Sequence, residues 1–421
     1  MLSVQDAEAK IFQLVRPLHP EYDREWIPLD QACDRLLAAA VQSELDFPYW
    51  DNSAMDGYAV RAEDLVRCSA ESPVALEVVM EIPAGHSPTQ SITAGQAARI
   101  FTGAMLPKGA DTIVIQERTQ REGNRVLILE RPEPKAWVRP KGDYYKAGSM
   151  LLQSGTRINA PEIAILATAQ CTSIPVYRRP IVTLLSTGNE LIQPDRPLQP
   201  GQIIDSNQPA LAALVQQTGA TVKRLGIIPD RPAELKAAIA TAIAQSDVVI
   251  SSGGVSVGDY DYVDKILSEL GGTLHIQAVA VKPGKPLTVA TFPNPDPKCD
   301  QPILYFGLPG NPVSAPVGFW RFVQPALRKL SGQPHSWGPM FVRAKTRQTL
   351  KADGKRETYL WGQLSLKADG TYEFDLAGGS HSSGNLINLS HINGLAVLNC
   401  GCTSIPAEEG VLVMQVGSVY S

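Results

Sequence analysis

DVVISSGGVSVGDYDYVDKI, residues 247–266, runs from an apolar stretch through a glycine-rich turn and acidic residues into a helical pattern. An apolar β-like run that breaks at Gly253-Gly254 and restarts as a helix is the joint of a parallel α/β sheet. The same joint raises the question of a ligand. Glycines let a backbone approach a bound group closely, and a helix start presents free N–H groups to an anion. Asp259 and Asp261 would repel a bare phosphate but suit one that arrives with a cation. Gly253 and Gly258 have the spacing of a P-loop, yet Asp259 stands where its lysine must be, and no G-x-G-x-x-G pattern occurs. These features exclude an ordinary nucleotide kinase and a dinucleotide-dependent dehydrogenase.

Outward from this joint, residues 179–332 alternate between strand and helix signals. PIVTLLS, VKRLGII, DVVIS and ILYFGL read as strands, with helices predicted in PALAALVQQTG, PAELKAAIATAIAQ and YVDKILSEL. Ligands of open parallel sheets bind beyond the carboxyl ends of the strands. Those ends lead here into Thr187-Gly188-Asn189-Glu190, Pro229-Asp230, Ser252-Gly253-Gly254, and Pro309-Gly310-Asn311-Pro312-Val313-Ser314. Positive charge enters in VKPGKPLTV, where Lys282 and Lys285 stand among prolines as a stiff receiver for an oxyanion. If Asp56, Glu190, Asp230, Asp259 and Asp261 converge, each close pair costs about 4 kcal/mol at an effective dielectric of 20. Such a cluster requires a divalent cation or raised pKa values, and ligands made only of oxygen point to Mg²⁺.

The flanks differ in kind. With 421 residues the chain has room for about three domains. Residues 1–50 read as helical, including a second, alanine-rich helix in PLDQACDRLLAAAVQ after a first around Ile11 and Leu14. This segment and 140–178 are assigned to one elongated helical domain; 51–139 is β-rich, 179–332 is the α/β domain, and 333–421 is a C-terminal β domain resembling a barrel. The formal net charge of -4 excludes a global attraction to nucleic acid or anionic membranes. The N-terminus lacks the pattern of a signal peptide, and no apolar run approaches the ~20 residues of a membrane span, so a cytoplasmic location is expected. The six cysteines are scattered, without a C-x-x-C pair, which fits reduced thiols and argues against zinc.

FPYWDNSAMDGYAV, RIFTGAMLPKGADTIV, LLSTGNEL, ISSGGVSVGDYDY, VKPGKP and GLPGNPVSA, in this order along the chain, resemble the molybdopterin molybdenumtransferases, the family of bacterial MoeA and the gephyrin E domain. The resemblance implies a homodimer of four-domain subunits with an active site between them. It implies the reaction too: adenylylated molybdopterin and molybdate become molybdenum cofactor and AMP, assisted by Mg²⁺. By matching positions, Asp56 and Thr102 are the β-rich domain's contribution, and Glu190, Asp230 and Asp261 fall in the acidic set around substrate and metal, to which the reading of the glycine turn adds Asp259 as a metal partner. Lys282, Lys285 and Ser314 correspond to oxyanion-handling positions, Arg356 and Ser383 to molybdate contacts, and Ser252, Gly253 and Gly254 to a substrate loop. The family's usual GED is here KGDYYKAG, with Asp143 in the glutamate's place and Tyr144 in the aspartate's, and neither is assigned to the site. A transient contact with a molybdopterin adenylyltransferase is expected. Two other readings stay open: that adenylyltransferase activity itself, on the same α/β fold, and a non-catalytic scaffold.

Overall fold

Strand Ile181–Thr187 is buried along almost its entire length, as a strand covered on both faces must be. Its side chains divide by alternation. Val182 and Leu184 pack with Leu211 and Val215 of helix Asn207–Gln217, while Leu185 packs with Leu235 and Ile239 of helix Pro232–Ala244. The structure is a computed structural model, and it describes residues 1–254, 262–296, 300–379 and 381–419.

The central sheet has the order Thr221–Ile228, Ile181–Thr187, Val248–Ser252, Ile303–Leu308, Pro286–Phe292, Thr273–Ala278. The first four strands are parallel and the last two join antiparallel. The four strands expected from sequence are these four. From Ile181–Thr187 the chain crosses to one neighbour, then returns through helix Pro232–Ala244 to the other, so the winding reverses at the end of this strand. That reversal opens a crevice, the usual ligand position of such sheets.

A six-stranded sheet of mixed direction forms the β-rich region, with Gly57–Val60 between Thr112–Ile115 and Gln96–Ile100. In the C-terminal part, Glu357–Leu366 pairs with both Tyr372–Leu376 and Gly394–Leu398, and Phe341–Thr346 and Gly410–Gln415 complete the ring. Five strands thereby close into a barrel without an edge. Leu360, Leu364 and Phe374 fill it, while Tyr359 and Trp361, on the other face of the same strand, join the core of the α/β sheet. Strand Val281–Lys282 of the α/β region adds in parallel to Glu357–Leu366. The seam between the two regions is therefore both an apolar core and a ladder of hydrogen bonds.

Helix Val4–Leu14 forms as its pattern predicts, with Ser3 accepting the Asp6 N–H at 3.0 Å, and it buries Val4, Ala7 and Ile11 against the α/β core. The second expected helix does not form. Only Leu29–Gln31 makes a 3₁₀ turn; Asp34 takes φ 62, and the next residues run extended, Leu37 donating to Thr156 O at 3.0 Å and Ala38 to Pro175 O at 3.0 Å. Burial of Leu36, Leu37 and Ala38 between these segments outweighs the helix preference of alanine. Around it stand the antiparallel pair Arg24–Pro28 with Ser173–Tyr177 and the helix Ala160–Thr168. Among the described residues no helix is long and apolar enough to cross a membrane.

Candidate active site

The crevice at the winding reversal opens into a cleft of about 1120 Å³, walled on one side by the strand ends of the sheet and on the other by the barrel strand Glu357–Leu366. Local sequence explains the strand-end wall. Gly253 and Gly254 have φ +90 and +69, and a Cβ on them would stand 2.5 Å from Thr187 O and 2.7 Å from Thr187 Oγ1. Only glycine tolerates both the backbone conformation and the approach, so the loop after Val248–Ser252 can lie directly on the end of Ile181–Thr187.

Asn207, at the start of its helix, ties this wall together: its buried Nδ2 donates to Ser252 Oγ at 2.7 Å and to Gly310 O at 2.8 Å. Asp230 and Asn189 exchange hydrogen bonds, Asn189 N–H to Asp230 Oδ2 at 3.3 Å and Asp230 N–H to Asn189 Oδ1 at 3.1 Å, so that two strand ends are held in register. Thr187 Oγ1 and Asn207 Oδ1 are buried without a hydrogen-bond partner among the described residues. Both belong to residues of the cleft lining.

The lining also carries positive charge. Lys282 and Lys285 of the α/β region and Arg356 from the barrel side contribute it, with Ser314 and Ser383 beside them in the lining. Arg356 Nη1 donates to Val281 O at 3.2 Å, and Val313 N–H donates to Ser383 O at 3.1 Å, which fastens the barrel's loop to the turn after Ile303–Leu308. Charged donors and strand-end carboxylates lining one cleft suit an anionic substrate that arrives with a cation.

Ten residues expected from sequence meet here: Glu190 and Asp230; Ser252, Gly253 and Gly254; Lys282 and Lys285; and Ser314, Arg356 and Ser383. Asp259 and Asp261 lie outside the described residues. Asp56 and Thr102 are together but not in the cleft: Thr102 donates both its N–H, at 2.8 Å, and its hydroxyl, at 2.7 Å, to Asp56 Oδ1. These donors hold the Asp56 carboxyl below its ordinary pKa of 3.8. Among the described residues Asp56 therefore does not meet Glu190 and Asp230 within one chain, because it stands at the separate sheet of the β-rich region. Among the described residues no three His, Cys, Asp or Glu side chains stand close enough to hold a metal ion. Asp143 and Tyr144 are exposed in a turn beside Phe47, away from the cleft.

Sequence reading named Thr187 at a strand end without assigning it a role, and missed Asn207 and the barrel residues Trp361 and His381, all in the lining. Thr187 and Asn207 were within reach as the residues at a strand's carboxyl end and a helix's start. Trp361 and His381 carry no local signal, since only barrel closure turns their strand and loop toward the α/β domain.

Such a fold brings cationic and acidic side chains together in one cleft where a parallel sheet meets a barrel, an arrangement that suits an anionic ligand. Residues 2–169 match the MoeA N-terminal region (domain I and II), 183–329 the probable molybdopterin binding domain, and 343–416 the MoeA C-terminal region (domain IV). A molybdopterin molybdenumtransferase of Nostoc sp. is 57% identical over 99% of this chain and 94% of its own. One of Haemophilus influenzae is 35% identical over 90% of this chain and 91% of its own. The crystal structure of the molybdopterin biosynthesis MoeA protein from Pyrococcus horikosii superimposes with a TM-score of 0.83 at 28% identity, covering 99% of this chain and 100% of that one. The chain belongs to the molybdopterin molybdenumtransferase family, transferases of molybdenum cofactor biosynthesis.

Proposed function

We propose that this cleft transfers molybdenum from molybdate to adenylylated molybdopterin with Mg²⁺-dependent release of AMP. The observation that carries the reading is the meeting of Lys282, Lys285 and Arg356 with Glu190 and Asp230 at one reversal of the sheet. The lysines and the forked guanidinium receive the oxyanion, and Ser314 and Ser383 add hydroxyl donors. Gly253 and Gly254 leave the backbone open to close approach by a pterin phosphate.

Glu190 and Asp230 offer only oxygen, which fits a hard cation rather than zinc. Two carboxylates are a usual protein share for Mg²⁺, whose other ligands are water and substrate phosphates. Asp259 and Asp261 complete the proposed acidic set. When bound, the ion supplies neutralisation of the charge that builds up as the phosphoanhydride breaks. The chain's own part is positional: the cationic side chains hold molybdate beside the pterin's sulfurs while the strand-end loops fix the phosphate.

Asp56 and Thr102 enter this reading from a second copy of the chain. Their absence from the cleft of their own chain supports a site completed by a homodimer. The substrate comes from an adenylyltransferase in transient contact. Arg356 and Ser383, contributed by the barrel side, favour insertion over adenylyl transfer, which needs only the α/β unit.

Purified protein given adenylylated molybdopterin, Mg²⁺ and molybdate should yield product that reconstitutes an apo-molybdoenzyme, without ATP. ATP consumption on molybdopterin would favour the adenylyltransferase reading, and no turnover the scaffold.

A further inference from the structure

The receiving cation is already engaged: Lys282 Nζ donates to Asp353 Oδ2 at 3.0 Å. The two groups come from opposite sides of the seam. Lys282 ends strand Val281–Lys282, whose register against Thr358 fixes its height on the barrel. Asp353 lies in the turn before Glu357–Leu366, where its Oδ1 accepts the Lys355 N–H at 3.0 Å. The turn is braced from behind, Gly401 N–H donating to Gly354 O at 2.8 Å. Gly354 has φ +68 and leaves only 3.0 Å between an added Cβ and Thr403 Cγ2. A rigid turn thus holds the carboxylate, while Lys282 is a long chain that can follow another anion.

Lys282, Lys285 and Arg356 line the cleft and Asp353 does not. The hydrogen bond from Lys282, followed by the Lys355 N–H, holds the Asp353 carboxyl below its ordinary value, so it stays ionised near neutral pH. Asp353 thus engages one of the three cationic side chains of the receiver.

We propose that Asp353 is an affinity-setting counter-ion of this receiver: an oxyanion gains Lys282 only by taking it from Asp353. The proposal rests on the cleft being the molybdate receiver. The competition lowers the receiver's affinity, so molybdate is held loosely enough to be handed on. No residue of the reaction is replaced by this role; Asp353 acts through Lys282 as a positioning residue.

The test is a calorimetric titration of molybdate into the full chain at fixed ionic strength, for the wild type, Asp353→Asn, Lys282→Ala and the double variant. Asparagine keeps the acceptor for the Lys355 N–H and removes only the charge, in an exposed turn. Asp353→Asn should bind molybdate about fivefold more tightly, the worth of one solvent-exposed ion pair. In the Lys282→Ala background the same substitution should change nothing. Unchanged or weaker binding by Asp353→Asn, or equal tightening with and without Lys282, would overturn the proposal. A distinct failure, Lys282→Ala binding molybdate like the wild type, would overturn the receiver reading and the proposal with it.

Discussion

Gly253 and Lys282 were legible as single letters, because a glycine at a strand's end and a lysine among prolines have few physical uses. Gly253 sits at φ +90 with 2.5 Å to Thr187 O, so Gly253→Ala should cost about 1–3 kcal/mol of stability and distort the cleft floor. Urea unfolding measures the first effect and molybdate affinity the second. Asp353 and Asn207 were not legible, since their roles lie in partners distant in sequence: Lys282 for one, Ser252 and Gly310 for the other. The Asp56–Thr102 pair makes a pH prediction. The folded carboxyl has a depressed pKa, so its contribution to stability is present above the unfolded value of 3.8 and is lost as pH falls through the lower folded value. Thr102→Val removes the hydroxyl donor and should move the Asp56 titration up toward 3.8, read by carboxyl NMR.

Elements followed local pattern where their burial agreed with it. The strands of the α/β sheet and helix Val4–Leu14 were visible as apolar periods bounded by caps and glycines. The segment after Pro28 was not, because Leu36, Leu37 and Ala38 bury themselves between chain segments more than a hundred positions downstream, which no local window contains. Docking of the N-terminal helix was equally hidden. Arg321, with a side chain 5% exposed, is paired there with Glu8, its Nη2 donating to Glu8 Oε2 at 3.1 Å. Glu8→Ala would leave that guanidinium buried and uncompensated and should lower stability by about 3 kcal/mol, a shift readable in denaturant midpoint at unchanged slope. An unaltered midpoint would place the helix outside the cooperative core.

At the scale of the whole molecule, the cleft is made by assembly. Its lining comes from a sheet and a barrel that share one apolar core: the α/β region supplies Glu190, Asp230, Lys282 and Lys285, and the barrel region adds Arg356, Ser383 and Trp361. The sequence showed the residue types but not this convergence, since closure of the barrel decides which face of Glu357–Leu366 meets the sheet. Asp56 adds the last step of assembly. If a second copy supplies it, mixing Asp56→Ala and Lys282→Ala proteins at limiting molybdate, where each is inactive alone, should restore about a quarter of wild-type activity through heterodimers with one intact site. No recovery after subunit exchange would confine the site to one chain. The most direct test of the account is single-turnover AMP release from adenylylated molybdopterin with Mg²⁺, with and without molybdate. Release that requires molybdate, and that Lys282→Ala shifts to higher molybdate concentration, is the expected result; release indifferent to molybdate would contradict it.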